Sequence, residues 1–189
     1  GRPISICGID ASTGTTMFVY QTIGRGTARF AGLLPGQQIE AQGPYGNGFP
    51  LRSGRAVLIG GGIGTAPMLQ LARELRASDP ARKIDVFLGF REEAYLVNEF
   101  EQFADRVILN IGGYVVNDVD FSLAATYYAC GPAPMLRAAA SAAEHATASL
   151  FVSLEKHMAC GVGACLGCTC QTEHCRKRVC KDGPVFDYR

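Results

Sequence analysis

The stretch Ala56-Val57-Leu58-Ile59-Gly60-Gly61-Gly62-Ile63-Gly64-Thr65-Ala66-Pro67-Met68 changes character twice within a few residues. Ala56–Ile59 is a short aliphatic run of the kind that fills a buried strand, and from Ala66 to Ala77 the apolar residues recur at helical spacing. Pro67 falls near the helix start, where a missing N–H costs little. Between the two lies a run of glycines. A loop joining a strand to a helix presents free N–H groups and the positive helix end to a phosphate, and glycines let a pyrophosphate approach the backbone. Gly61, Gly62, Gly64 and Thr65 are therefore candidate nucleotide-binding residues. The complete G-x-G-x-x-G pattern is missing, because Thr65 occupies the third glycine position. A tight turn with no ligand is the plainer alternative.

Downstream of this stretch the pattern repeats. Ile84–Gly89 reads as a second strand, followed by a helix over about Tyr95–Ala104; Val107–Leu109 and Thr126–Ala129 read as a third and a fourth. Cys130-Gly131-Pro132-Ala133-Pro134 leads into a helix over Met135–Ala146, and Leu150–Leu154 is a fifth strand. Strands alternating with helices predict a doubly wound parallel sheet covered on both faces over residues 53–154. Cys130, Gly131 and Pro132 would then lie on the same carboxyl edge as the glycine loop, where ligands of open α/β sheets gather. Near the end of the second strand, Arg91 could bind a 2′-phosphate, whereas Glu92 or Glu93 could hydrogen-bond a ribose hydroxyl; a solvated charge cluster explains them equally well.

Upstream, residues 1–52 read as β. Arg2–Ile6, Met17–Gln21 and Gln38–Ala41 have strand character, with turns at Ser12-Thr13-Gly14 and Gly24-Arg25-Gly26 and a brief helical turn over Thr27–Leu34. So few strands cannot close a barrel, and further strands are expected to precede Gly1. Arg2, held extended by Pro3, and Ser5 could contact a phosphate or a flavin edge. Gly26 and Thr27 could receive a pyrophosphate.

The last part of the chain carries the most specific chemistry: Cys160-Gly-Val-Gly-Ala-Cys165-Leu-Gly-Cys168-Thr-Cys170-Gln-Thr-Glu-His-Cys175-Arg-Lys-Arg-Val-Cys180. Cys160, Cys165 and Cys168 have the C-x4-C-x2-C spacing of a plant-type two-iron cluster, which needs one further thiolate. Cys175 or Cys180 could supply it. Gly161, Gly163 and Gly167 permit the close backbone approach and N–H···S contacts that a cluster loop uses. A zinc knuckle or disulfides are blander readings of the same cysteines. His145 and His157 have no nucleophile beside them, and His174 has no second histidine at Rieske spacing. Cys7 and Cys130 stand apart from the run and read as ordinary thiols.

Composition narrows the classes. With 48% apolar and 19% charged residues the chain can build a packed core. A net charge of +1 offers no electrostatic footprint for nucleic acid or an anionic membrane, and no apolar run is long enough to span a bilayer. Eight cysteines with no secretory signal point to metal or cluster chemistry in a reducing, cytoplasmic setting.

Taken together, the motifs resemble those of the electron-transfer subunits of type B dihydroorotate dehydrogenase, within the ferredoxin-NADP reductase superfamily. The residues that carry the resemblance are Arg2–Ile6, Gly24–Thr27, Gly43-Pro44-Tyr45-Gly46-Asn47-Gly48-Phe49, Gly60–Met68, Cys130–Pro132, Cys160–Cys168, and Val179-Cys180-Lys181-Asp182-Gly183-Pro184-Val185-Phe186. The resemblance implies the C-terminal half of an antiparallel FAD-binding β-barrel over 1–52, an NAD-binding domain over 53–154 and a 2Fe-2S segment over 155–189. It implies FAD on Arg2, Pro3, Ile4, Ser5, Val19, Tyr20, Gln21, Gly26 and Thr27. It also selects Cys180 as the fourth cluster ligand. The implied partner is an FMN-containing dihydroorotate-oxidising subunit, in an assembly of two plus two chains. A ferredoxin- or hydrogenase-linked NAD(P)H diaphorase subunit would share every cofactor, and a metal-stabilised binding module is the non-enzymatic alternative.

Overall fold

A computed structural model describes residues 2–173 and 175–188. Its centre is a six-stranded sheet built from β3 (Arg55–Gly61), β4 (Ile84–Phe90), β5 (Arg106–Ile111), β6 (Ala125–Cys130), β7 (Ser149–Ser153) and β10 (Val185–Asp187), in the order β10-β7-β6-β3-β4-β5. The first five are parallel. β10 runs antiparallel to β7, with Val185 opposite Ser153 and Asp187 opposite Phe151. The five strands of residues 53–154 are parallel as expected, and the C-terminal segment adds one antiparallel strand at this edge, which makes the sheet mixed. The residues after Cys180 return to the sheet and pair with it.

Alternation along β3 explains why both faces are covered. Ala56 and Leu58 point into a core shared with α2 (Thr65–Ser78), α3 (Val97–Glu101), Cys7 and Tyr128. Val57 and Ile59 point into the opposite core, shared with α4 (Ala133–His145), a 3-10 turn over Val115–Asp118, and Tyr127. A period of two is what a strand buried on both sides requires, since successive side chains face opposite layers. The helix expected over Tyr95–Ala104 is confined to Val97–Glu101.

The strand order reverses at β3. The chain moves outward through α2 to β4 and then β5, and returns to the other side of β3 as β6. The carboxyl ends of β3 and β6 therefore flank a topological switch point, the place where open α/β sheets form their ligand crevice.

Residues 2–52 are less regular than expected. β1 (Ile6–Asp10) and β2 (Thr15–Phe18) form an antiparallel hairpin, and α1 spans Arg25–Ala31. Arg2–Ser5 lie outside any strand, and Gln38–Ala41 form none. Residues 31–48 are exposed throughout, so these stretches find no neighbouring strand to complete a ladder. Two devices hold this part to the sheet. The Ile9 N–H donates to Gln70 Oε1 at 2.9 Å while Arg73 donates to the Ile9 carbonyl at 2.7 Å, tying β1 to α2. The Tyr128 hydroxyl donates to the Pro50 carbonyl at 3.0 Å, and its ring meets Phe49 edge-on at 5.7 Å. Among the described residues, no helix is long and apolar enough to cross a membrane.

Candidate cluster and nucleotide sites

Residues 160–168 form a loop without regular structure in which Gly161, Gly163 and Leu166 adopt φ of 70°, 80° and 60°. Left-handed backbone at two glycines turns N–H groups inward. The result pairs the cysteines. The Cys165 N–H donates to Cys160 Sγ at 3.4 Å, and the Cys180 N–H donates to Cys168 Sγ at 3.4 Å. The N–H groups of Cys165 and Val162 favour the thiolate and hold Cys160 down to about 6. Burial raises Cys180, with Cys168 and then Cys160 adding to the shift, which places those sulfurs within mutual electrostatic reach. Among the described residues, no three His, Cys, Asp or Glu side chains close around a single point as the ligands of one metal ion do. Backbone N–H groups thus set Cys165 beside Cys160 and Cys180 beside Cys168.

Cys175 lies elsewhere. β8 (Thr169–Gln171) and β9 (Arg176–Arg178) form a small hairpin, and Cys175 is exposed in its turn. There Thr172 Oγ1 donates to the Cys175 carbonyl at 2.6 Å. Cys170 faces inward beside Cys168, Val179 and Cys180. Sequence reasoning gave no role to Arg178, which binds both Asp182 carboxylate oxygens at 3.0 and 3.1 Å and also donates to the Gly163 carbonyl at 3.3 Å. A fork of five donors suits this task, and it fastens the 160–168 loop to the turn that carries Cys180.

At the switch point the two glycine loops are in direct contact. A Cβ on Gly64 would meet the Cys130 carbonyl and the Gly131 nitrogen, and one on Gly61 would lie 2.5 Å from Met135 Sδ and 2.9 Å from Pro132 Cδ. The need for glycine at these two positions is therefore already met by packing of one loop on the other. Gly62 differs: its φ is 52° and a Cβ there would meet nothing within 4 Å, leaving its backbone open to the crevice. Thr65 is fully buried, and its hydroxyl donates to the Gly62 carbonyl at 2.9 Å. Desolvation raises the Tyr95 phenol above its ordinary value, with the nearby Thr65 side chain opposing the shift. The Tyr95 ring meets Phe90 edge-on at 4.9 Å. Burial pushes the Cys130 thiol up to about 12, with Ser153 opposing the shift, and the residue is buried. Gly131 is half-buried and Pro132 exposed at the start of α4. Arg91, Glu92 and Glu93 are exposed just beyond β4.

The flavin candidates gather around α1. The Arg2 side chain lies against Gly26, where a Cβ would come within 2.6 Å of its Nε. The Thr27 hydroxyl accepts from the Ile23 and Gly24 N–H groups at 3.1 and 3.2 Å and donates to the Gly24 carbonyl at 3.1 Å, so it is occupied in shaping the helix start. Tyr20 meets Phe30 edge-on at 5.7 Å, and Val19 packs on the core. Ile4 is half-buried, and Pro3, Ser5 and Gln21 are exposed. His145 Nδ1 lies 2.6 Å from the Ser141 carbonyl in its own helix, His157 is exposed, and His174 lies outside the described residues.

Comparison with known proteins adds to this geometry. Residues 155–189 match the model of the iron-sulfur cluster binding domain of dihydroorotate dehydrogenase B. The electron transfer subunit of dihydroorotate dehydrogenase B (NAD(+)) from Clostridium perfringens is 43% identical over 99% of this chain and 79% of its own length. The chain belongs to this family. Its Bacillus caldolyticus member is 39% identical over 98% of this chain and 77% of its own length. Among solved structures, an NADH-dependent reduced ferredoxin-NADP oxidoreductase superposes with a TM-score of 0.88 at 25% identity, over 99% of this chain and 72% of that one. A flavohemoglobin from Malassezia yamatoensis shares the fold, with a TM-score of 0.56 at 21% identity over 76% of this chain and 44% of that one. The family members thus share one architecture with other ferredoxin-NADP reductase-like proteins.

Proposed function

We propose that this chain is the electron-transfer component of an NAD-linked dihydroorotate dehydrogenase of pyrimidine biosynthesis, taking electrons from an FMN-containing, dihydroorotate-oxidising subunit and delivering them to NAD+. The observation that carries the reading is that backbone N–H···S contacts set Cys165 against Cys160 and Cys180 against Cys168. Two thiolate pairs are what a two-iron centre takes, one pair for each iron. Cys175 is exposed in the turn of the β8–β9 hairpin, and the N–H of Cys180, not of Cys175, meets Cys168 Sγ, which favours Cys180 as the fourth ligand.

When bound, the three cofactors would divide the chemistry: a 2Fe-2S cluster would supply one-electron transfer, NAD+ two-electron hydride acceptance, and FAD the ability to exchange electrons singly or in pairs. The chain's own residues supply position. Gly161 and Gly163 let the loop wrap closely, and its N–H groups tune the sulfurs they face. Arg2, Pro3, Ile4 and Ser5, Val19, Tyr20 and Gln21, with Gly26 and Thr27, would hold the flavin in residues 1–52, a part of a flavin-binding barrel. Gly62 opens the 53–154 crevice to the dinucleotide phosphates, Thr65 fixes its carbonyl, and Gly61, Gly64, Cys130, Gly131 and Pro132 form the walls. Residues 155–189 hold the cluster. No general acid or base is needed in this subunit. A two-plus-two assembly in the cytoplasm completes the proposal.

The likeness to a reduced ferredoxin-NADP oxidoreductase favours a second reading, in which a ferredoxin is the electron partner. The higher identity to dihydroorotate dehydrogenase B subunits and the match of the cysteine segment support the first. The deciding experiment combines the cluster- and flavin-loaded protein with the FMN-containing subunit under anaerobic conditions and follows NADH. Formation of NADH from dihydroorotate only when both subunits are present is expected. A loaded complex that reduces NAD+ with reduced ferredoxin and never with dihydroorotate would reverse the choice.

A further inference from the structure

The segment Gly43-Pro44-Tyr45-Gly46-Asn47-Gly48 has no helix and no strand, and all of it is exposed. A loop of that kind has little reason to hold one conformation, yet its middle is fastened to residues far away in the chain. The Asn47 N–H donates to the Gly183 carbonyl at 2.6 Å. Its side-chain Nδ2 donates to the Lys181 carbonyl at 3.3 Å and the Asp182 carbonyl at 3.2 Å. Asn47 also forms an isolated parallel bridge with Pro184. Gly46, at φ 77°, passes so close that a Cβ would lie 2.5 Å from the Gly183 carbonyl oxygen and 2.7 Å from Pro184 Cδ. On the other side the Tyr45 ring lies against Gly161, at 3.7 Å from where its Cβ would stand.

Lys181, Asp182 and Gly183 are the three residues that follow Cys180, and one asparagine takes up the carbonyl of each. The same turn is braced from within by Asp182, which accepts the Arg178 N–H at 2.7 Å and holds its guanidinium. Cys180 thus sits between an inner brace from its own hairpin and an outer brace from residue 47. Its N–H in turn points at Cys168 Sγ. Without the outer brace, the turn after Cys180 is held by the Arg178–Asp182 pair, by a hairpin of two three-residue strands and by the pairing of β10 with β7 farther on.

We infer that Asn47 is a positioning residue for the cluster: its side-chain amide fixes the turn after Cys180 and so sets how firmly the cluster is held and at what potential it is reduced. The inference rests on the cluster reading above. Groups that orient metal ligands from outside typically change metal affinity by about 10- to 100-fold when removed, and hydrogen bonding around cluster sulfurs is a lever on potential.

The test compares the loaded wild-type protein with Asn47→Ala and with the isosteric Asn47→Asp, which replaces a donor by a carboxylate facing two carbonyls. Iron release to a chelator is measured alongside the midpoint potential and the electron paramagnetic resonance signal of the reduced cluster. Both variants are expected to release iron roughly tenfold faster with a shifted potential and an altered signal, while thermal unfolding of the sheet is unchanged. Potential and signal equal to wild type overturn the inference even if iron is lost faster, because faster loss alone is what general loosening produces. A wild-type protein that takes up no iron and sulfide would instead remove the cluster reading, and this inference with it.

Discussion

The switch-point crevice and the cysteine segment are built on opposite principles. Around the crevice, β3 is buried along nearly its whole length, and the glycines at its end are required by protein atoms: Gly61 by Met135 and Pro132, Gly64 by Cys130 and Gly131. Among the described residues, the cysteine segment has a small buried cluster of Cys168, Cys170, Val179 and Cys180 against which Leu154, Met158 and Phe186 pack, three-residue strands, and braces from Arg178 and Asn47. Units with so little apolar core need metal or outside support to keep a shape. The difference teaches that the crevice is shaped by packing of one loop on another, while the cysteine segment is held by a few hydrogen bonds and contacts from outside its small core.

Four measurements would sharpen or break that contrast. The largest effect is expected from Cys180→Ser set against Cys175→Ser: iron and sulfide should fall to near nothing in the first and stay at the wild-type level in the second. Equal loss in both would overturn the choice of Cys180 over Cys175. Gly64→Ala comes next, since a methyl group there meets backbone of the neighbouring loop, which has no room to yield. A cost of about 3 kcal/mol is expected, read as a fall of roughly 10 °C in melting temperature for a chain of this size, with iron content unaffected. An unchanged melting temperature would mean that the crevice is not shaped by packing of one loop on the other.

Thr65→Val tests the crevice more gently. Losing the bond to the Gly62 carbonyl is worth about 1 kcal/mol, so NAD+ should bind roughly fivefold more weakly while the potential of the cluster stays put. The smallest effect concerns acid stability of the sheet. The Ile84 N–H, then Arg76 and Lys83, hold the Asp105 carboxyl down to about 2 from 3.8. A depressed folded-state value stabilises the protein above the unfolded value and is lost as pH falls through the folded one. Because Asp105 is partly exposed, ~1 kcal/mol is expected after screening. The stability gap between wild type and Asp105→Asn, measured by urea unfolding, should be full above about pH 4 and close toward pH 2; a gap independent of pH would show that the carboxylate charge is not what matters.

Much of the α/β region was legible because its signals are local. Runs such as Ala56–Ile59 and Ile84–Gly89 are aliphatic enough to be buried wherever they go, and glycine loops punctuate them at the strand ends. In residues 2–52 the strands expected at Arg2–Ser5 and Gln38–Ala41 are missing for the converse reason. Gln38–Ala41 has strand-like composition, but a strand exists only when a neighbour completes its hydrogen bonds, and none lies alongside. The antiparallel β10 was missed because three residues, Val185–Asp187, carry too short a pattern to read.

At the sites the division is sharper. The spacing of Cys160, Cys165 and Cys168 favoured a two-iron cluster over zinc or disulfides, since a few intervening residues limit where the sulfurs can go. Which later cysteine comes to lie beside Cys168 is a different matter. Cys175 and Cys180 are both close in sequence, and only the turn of the β8–β9 hairpin sends one outward and brings the other in. Likewise, sequence marks Gly60–Thr65 as a nucleotide loop but cannot separate glycines that make room for another loop from the one that faces the crevice. Nor can it bring Asn47 to Lys181 and Asp182 across more than 130 residues. Periodicity and spacing are properties of neighbours along the chain, whereas these contacts are made only when distant segments are packed together.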